Sequence, residues 1–167
     1  MKLRRKARIA VLQALYEADV AQHPAGTALD QRLQMQPLPP QVETFARRLL
    51  AGVLAHRDQL NDLIVRHAPE WPLDQMAVVD RNILRIAMVE LGDPDLDTPI
   101  KVAINEAVEM AKLFGSDSSP RFVNGVLGAL MADTTRPDLG DGLPVEKDTV
   151  LTPKTSDVTD ATEVAVS

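Results

Sequence analysis

From Leu3 to Ala21 the apolar side chains Leu3, Ala7, Ala10, Val11, Ala14, Leu15 and Ala18 return every three or four residues, the spacing of one helix face. The same spacing recurs downstream, and it constrains the fold more than any other property of the chain. Val42, Phe45, Ala46, Leu49, Leu50, Val53, Leu60, Leu63 and Ile64 carry it after Pro37, Pro39 and Pro40. The stripe loses phase between Gly52 and Arg57, so one bent helix and two separate ones are both compatible with it. A shorter segment, Ala28 to Met35, forms one or two turns before the prolines.

Local punctuation places the later helices. Asp74 is an N-cap candidate for a helix with Met76, Val79, Ile83, Ile86, Ala87 and Glu90-Leu91 on its inner side, stopping at Gly92. Thr98-Pro99 puts a capping hydroxyl before a proline at the first helical position, and Ile100, Ala103, Ile104, Ala107, Val108 and Ala111 form the buried stripe that follows. Gly115 then supplies a left-handed C′ residue. Ser119-Pro120 opens the last helix, with Val123, Val126, Leu127 and Leu130 inside, to about Asp133. No β-type alternation persists for five residues in this region, so the fold class is all-α, a helical bundle over 1–133. Beyond Thr134 helical phase is lost and large apolar residues are few, which predicts a disordered acidic tail over 134–167.

Composition removes several function classes. Of 167 residues none is cysteine, which excludes disulfide frameworks, cysteine-ligated zinc or iron–sulfur sites and cysteine nucleophiles, and fits a reducing cytoplasm. No apolar run reaches the roughly 20 residues of a membrane helix, and the basic start lacks the features of a secretory signal. Enzyme signatures fail in detail. His56-Arg57-Asp58 lacks the asparagine and glycine-rich loop of a kinase. His23, His56 and His67 fall on separate segments without carboxylates at metal-ligand spacing, Gly125 and Gly128 have no lysine or strand beside them, and Glu106 and Glu109 read most simply as a solvated helix face. No catalytic residue, metal site or cofactor is expected.

Charge is the informative residue. The net of −6 conceals a start at residues 1–8 that carries Lys2, Arg4, Arg5, Lys6 and Arg8 and no acid, against a body of 10 bases and 17 acids over 9–133. At about 100° per residue Arg4, Arg5 and Arg8 fall in an arc of roughly 100° on the first helix, where guanidinium forks could clamp phosphates and the helix dipole would assist. A merely solvated basic end is the alternative. Five aromatics are present, of which Tyr16 and Phe114 are best placed to stack on unpaired bases, while Phe45 and Phe122 read as core.

These elements together resemble a known family. Arg4-Arg5-Lys6-Ala7-Arg8 running into Gln13-Ala14-Leu15-Tyr16, Asn82 to Ala87 with Glu90-Leu91, PIKVAINEAVEMAK over 99–112, Phe114-Gly115, and Phe122-Val123-Asn124-Gly125-Val126-Leu127 are similar to the NusB family of bacterial transcription antitermination proteins, over about residues 2–131. The resemblance implies two packed helical sub-bundles and a non-catalytic adaptor. It implies binding of boxA RNA in ribosomal leader transcripts together with the ribosomal protein NusE, and indirect contact with other Nus factors and RNA polymerase. RNA-contacting positions implied by the family fall on Arg4, Arg5, Lys6, Arg8 and Tyr16, to which Lys112 and Phe114 are added. Partner-facing positions fall on Asp80, Lys101, Asn105 and Glu106. The chain departs from the family at Lys6, where charge survives without a planar fork, and at Ser118, where an acid is common and here lies one residue earlier as Asp117. A homodimer, a protein-only scaffold, a carboxylate-pair hydrolase or transferase, and a stand-alone relative of the N-terminal domain of ribosomal RNA cytosine methyltransferases are the competing readings; the last lacks its cofactor domain here.

Overall fold

A computed structural model describes residues 2–139, to which the following account is confined. Its seven α-helices are α1 (Lys2–Ala21), α2 (Ala25–Met35), α3 (Pro40–Ala55), α4 (Arg57–His67), α5 (Val78–Gly92), α6 (Ile100–Phe114) and α7 (Ser119–Asp133), with short 3-10 turns at Leu73–Gln75 and Pro94–Leu96. No strand occurs among the described residues. Helices α1, α2 and α3 pack together, α4 to α7 form a second group, and α5 touches α1, α3, α4, α6 and α7. The two sub-bundles therefore share one central helix.

The reason lies in the composition of α5. Every residue from Asn82 to Leu91 is buried, so it has no solvent face, unlike the one-sided helix expected from its sequence. Three of its polar residues, Asn82, Arg85 and Glu90, are retained because each finds a partner on a neighbouring helix. Asn82 donates to Asp19 of α1 at 3.0 Å, Arg85 donates to Asn61 of α4 at 2.8 and 3.0 Å, and Glu90 accepts from Arg8 of α1 at 2.6 Å. Directional bonds of this kind index a helix that apolar packing alone would leave free to rotate. Burial holds the Arg85 guanidinium down to about 10, with the neighbouring Arg57 charge adding to the effect and Asp19 opposing it.

Several sequence expectations require correction. Of the two readings left open at the phase loss after Gly52, the structure has the break: His56 has φ −113° and ψ 25°, and two helices result. Helix α2 starts at Ala25, three residues earlier than its apolar pattern suggested. Asp74 caps nothing, because Leu73–Gln75 closes a 3-10 turn and extended backbone at Met76 and Ala77 delays α5 to Val78. Thr98 is not an N-cap either. Its hydroxyl donates to Glu90 Oε2 at 2.8 Å, and Pro99, with ψ 145°, occupies the cap position. Gly115 is extended at φ −96° and ψ −167°, and the requirement for glycine is steric: a Cβ there would lie 2.5 Å from Ser119 Cβ.

The predicted disordered tail also begins too early. Residues 134–139 return to the body, where Arg136 donates to the carbonyls of Leu91 and Thr98 at 3.0 Å each and Leu139 is buried. Gly92 makes room for that return, since a Cβ on it would approach Leu139 Cδ1 to 2.9 Å. The expectation for 140–167 lies outside the described residues.

Candidate nucleic-acid interface on helix α1

The basic start is helical from Lys2, as expected, but its five cations have different fates. Arg8 departs most from expectation. Its side chain is 1% exposed and forms a forked ion pair with the equally buried Glu90, so it cannot present a fork to a phosphate on the surface. Arg4, Arg5 and Arg8 share one side of α1, as their spacing predicts, but that side faces α3, α5 and α6 and not open solvent. Arg4 reaches Leu96 O at 2.9 Å and lies 4.2 Å above the Phe45 ring, with Arg8 at 5.3 Å from the same ring. Phe45 is core, as its spacing suggested.

Arg5 bridges surface and interior. Its Nε and Nη2 each donate to a carboxylate oxygen of Glu106 at 2.9 Å, while the side chain remains 40% exposed. The paired Arg5, and Arg8 beyond it, hold the Glu106 carboxyl below its ordinary range against the opposing effect of burial. Lys2 and Lys6 are exposed, and Lys6 points away from the arginines.

Lys6 lines a 680 Å³ groove between α1 and the α2–α3 connection, together with Leu3, Ile9, Gln13, Arg32 and Met35. Gln13 and Arg32 also line a second hollow of 270 Å³ that contains Tyr16, Phe114, Leu12 and Val79. The two aromatics chosen from sequence thus come together, 44% and 38% exposed, at the far end of a trough made of two adjoining hollows that share Gln13 and Arg32, with Lys6 at the near end. From Leu3 to Tyr16 the helix rises about 20 Å. Arg32 was missed by sequence reasoning. It donates to Gln13 at 3.1 Å and to Glu17 at 3.4 Å where the two hollows meet, and nothing local to α2 marks it for that position. Lys112 stays exposed beside Glu109, 3.2 Å away.

The four expected partner-facing residues do not form one surface. Lys101 and Asn105 are exposed and one turn apart on α6. Glu106 is buried against Arg5, a correction to its expected place, because the helix turns it inward by about 100° from Asn105. Asp80 is 8% exposed and lines a 430 Å³ cavity with Trp71, Arg121, Phe122 and Ser118. Its Oδ1 is buried without a partner, and burial pushes its carboxyl up, partly offset by the Ser119 hydroxyl. Phe122, assigned to the core from its spacing, is half-buried at this cavity, and Trp71 at its rim is 51% exposed.

Among the described residues no cluster of three or more His, Asp or Glu could hold a metal ion, and no helix is long and apolar enough to cross a membrane. Fold and surface define an all-α, two-bundle protein whose charged and aromatic groups line a trough on its first helix. The chain belongs to the NusB family, whose family model matches residues 5–132. The transcription antitermination protein NusB of Roseiflexus castenholzii is 48% identical over 131 residues, 78% of this chain and 92% of that one. That of Bacillus subtilis is 42% identical over 130 residues, covering 78% and 95%. Among solved structures, Thermotoga maritima NusB is 33% identical, covers 88% of this chain and 97% of its own, and superposes with a TM-score of 0.71. The same fold, at 23% identity and TM-score 0.71 over 80% of this chain and 99% of the other, occurs in a crystal structure of the antitermination factors NusB and NusE in complex with double-stranded RNA.

Proposed function

We propose that this protein is a transcription antitermination factor that binds boxA-type single-stranded RNA together with NusE and works as a non-catalytic adaptor in the cytoplasm. The observation that carries this reading is the α1 trough, cationic at Lys6 and Arg32 and aromatic at Tyr16 and Phe114, with Lys2 and the half-paired Arg5 on the adjoining first turns of the helix, on a body that is otherwise acidic. Phosphates engage the cations, which contributes affinity and salt sensitivity, and unpaired bases stack at the aromatic end, which contributes selection. A trough of about 20 Å suits the short end of known single-strand site sizes, roughly 4 nucleotides. The acidic body, with Asp80 desolvated in its cavity, suits a basic ribosomal partner, whose contact with other Nus factors and the polymerase makes the link to transcription.

Titrating a boxA-like single strand into the protein, with and without NusE, tests this. We expect salt-dependent binding by the protein alone and tighter binding with NusE, because two ligands on one surface couple reciprocally. Absence of RNA binding under both conditions would overturn the reading, and an affinity indifferent to NusE would remove the partner from it. A duplex of the same sequence should bind more weakly, since its bases cannot reach Tyr16 and Phe114.

Glu106 acts in this scheme as a positioning residue for Arg5. Glu106→Gln keeps an acceptor for the guanidinium but removes a negative charge that competes with phosphate. RNA affinity is expected to rise about threefold and the log–log salt slope to steepen by about 0.7, the value of one added phosphate contact on a single strand. Loss of NusE binding with RNA affinity unchanged would instead return Glu106 to a partner-facing role.

A further inference from the structure

The return of residues 134–139 to the body brings the chain's exit point to the same loop that anchors the basic helix. Arg136 donates to the Thr98 carbonyl at 3.0 Å, and Arg4 donates to the Leu96 carbonyl at 2.9 Å, two residues away. Thr98 in turn donates to Glu90, the acceptor of Arg8. Carbonyl carbons two residues apart are separated by at most about 7 Å, so Arg136 and the first turn of α1 grip adjacent points of one loop. Leu139 is buried against Gly92 nearby and fixes where the remaining chain leaves.

Residues 140–167 contain six acids, Asp141, Glu146, Asp148, Asp157, Asp160 and Glu163, against two bases, Lys147 and Lys154. The first turns of α1 have the opposite charge, with Lys2 and Lys6 exposed and Arg5 half-buried, and Arg4 of the same turns is anchored two residues from the carbonyl that Arg136 holds. Twenty-eight residues can span up to roughly 95 Å, so reach from Leu139 to the trough is not limiting. Tethering at such short range gives an effective concentration in the millimolar region, enough for weak carboxylate–cation contacts to be occupied intramolecularly.

We propose that the acidic segment 140–167 docks on the cationic end of the α1 trough and competes there with RNA phosphates. This rests on the RNA-binding reading above. Carboxylates are distributed singly along the segment and carry one charge each, so a phosphate backbone of closer charge spacing displaces them, while sparse or weakly matched polyanions do not. The segment thereby raises the threshold for binding without occupying the site permanently.

The test uses the full-length chain. A variant with Asp141, Asp148, Asp157 and Asp160 changed to Asn and Glu146 and Glu163 changed to Gln is expected to bind boxA-like single-stranded RNA about threefold to tenfold more tightly near 50 mM salt, with the gain largely gone by about 200 mM. Unchanged RNA affinity overturns the proposal, as does unchanged RNA affinity with weakened NusE binding, which would assign the segment to the basic protein partner. Because the chain lacks cysteine, Thr155→Cys carries a single spin label without further change. Broadening of the backbone amides of residues 2–8 is expected without any RNA present, and broadening confined elsewhere overturns the proposal. The label reads docking independently of RNA. Broadening in a protein that binds no RNA would leave the contact standing and remove only the function assigned to the trough.

Discussion

Replacing Glu90 by alanine is expected to destabilise the protein by about 3–5 kcal/mol, the range for breaking a buried ion pair from one side. Arg8 and Glu90 are each 1% exposed, and three donor contacts between 2.6 and 3.1 Å join them. Removing the carboxylate strands a guanidinium in the interior, with only Glu106 at 3.6 Å in compensation, and also takes the acceptor from Thr98. Replacing both partners together, Arg8→Met with Glu90→Leu, should recover most of the loss, because apolar side chains of similar volume do not require the missing charge. Denaturant unfolding of the three chains measures this. A cost below about 1 kcal/mol for the single change, the level of an exposed pair, would show that water reaches the site.

The second large effect concerns recognition. Changing Lys2, Arg5 and Lys6 together to alanine is expected to lower affinity for boxA-like RNA about 100-fold near 0.1 M salt and to flatten the log–log salt slope by about 2, three contacts at about 0.7 each. Arg8 is left out of this set deliberately, because its loss would act through folding. Far-ultraviolet circular dichroism should show the helices retained, and the titration should be run at several salt concentrations. A triple variant that keeps its helices and its affinity would remove the cationic end of the trough from the site.

How far the sequence disclosed this arrangement varies with the kind of signal. Periodicity located all the long helices, since one apolar stripe per helix is a local record of burial. It understated α5, where the stripe with Glu90 on its inner side is only part of a helix buried on every side, and Asn82 and Arg85 look like an outer face until their partners on α1 and α4 are known. Capping residues misled for a related reason. Thr98 and Asp74 are of the right type at the right spacing, but a side chain that can bond to a helix terminus can also bond elsewhere, and Glu90 took Thr98. Charge segregation brought the run of cations to attention, and helix geometry put three of them on one side. Neither could tell which cations that side would bury, because the acids that claim them, Glu90 and Glu106, lie 82 and 101 residues away. Tyr16 and Phe114 were paired by the fold alone, across nearly 100 positions of chain. Arg32 carried no signal at all.

The division of labour within the first turns of α1 has a consequence for how such a sequence can drift. Position 8 is held by the interior and position 6 by whatever lies outside, while position 5 answers to both through one forked contact. Lysine in place of arginine is therefore tolerable at 6, where a point charge on a long stem suffices, yet would forfeit the two-pronged grip at 5 or 8. Which basic residue stands at each of these places records whether folding or recognition has been its editor.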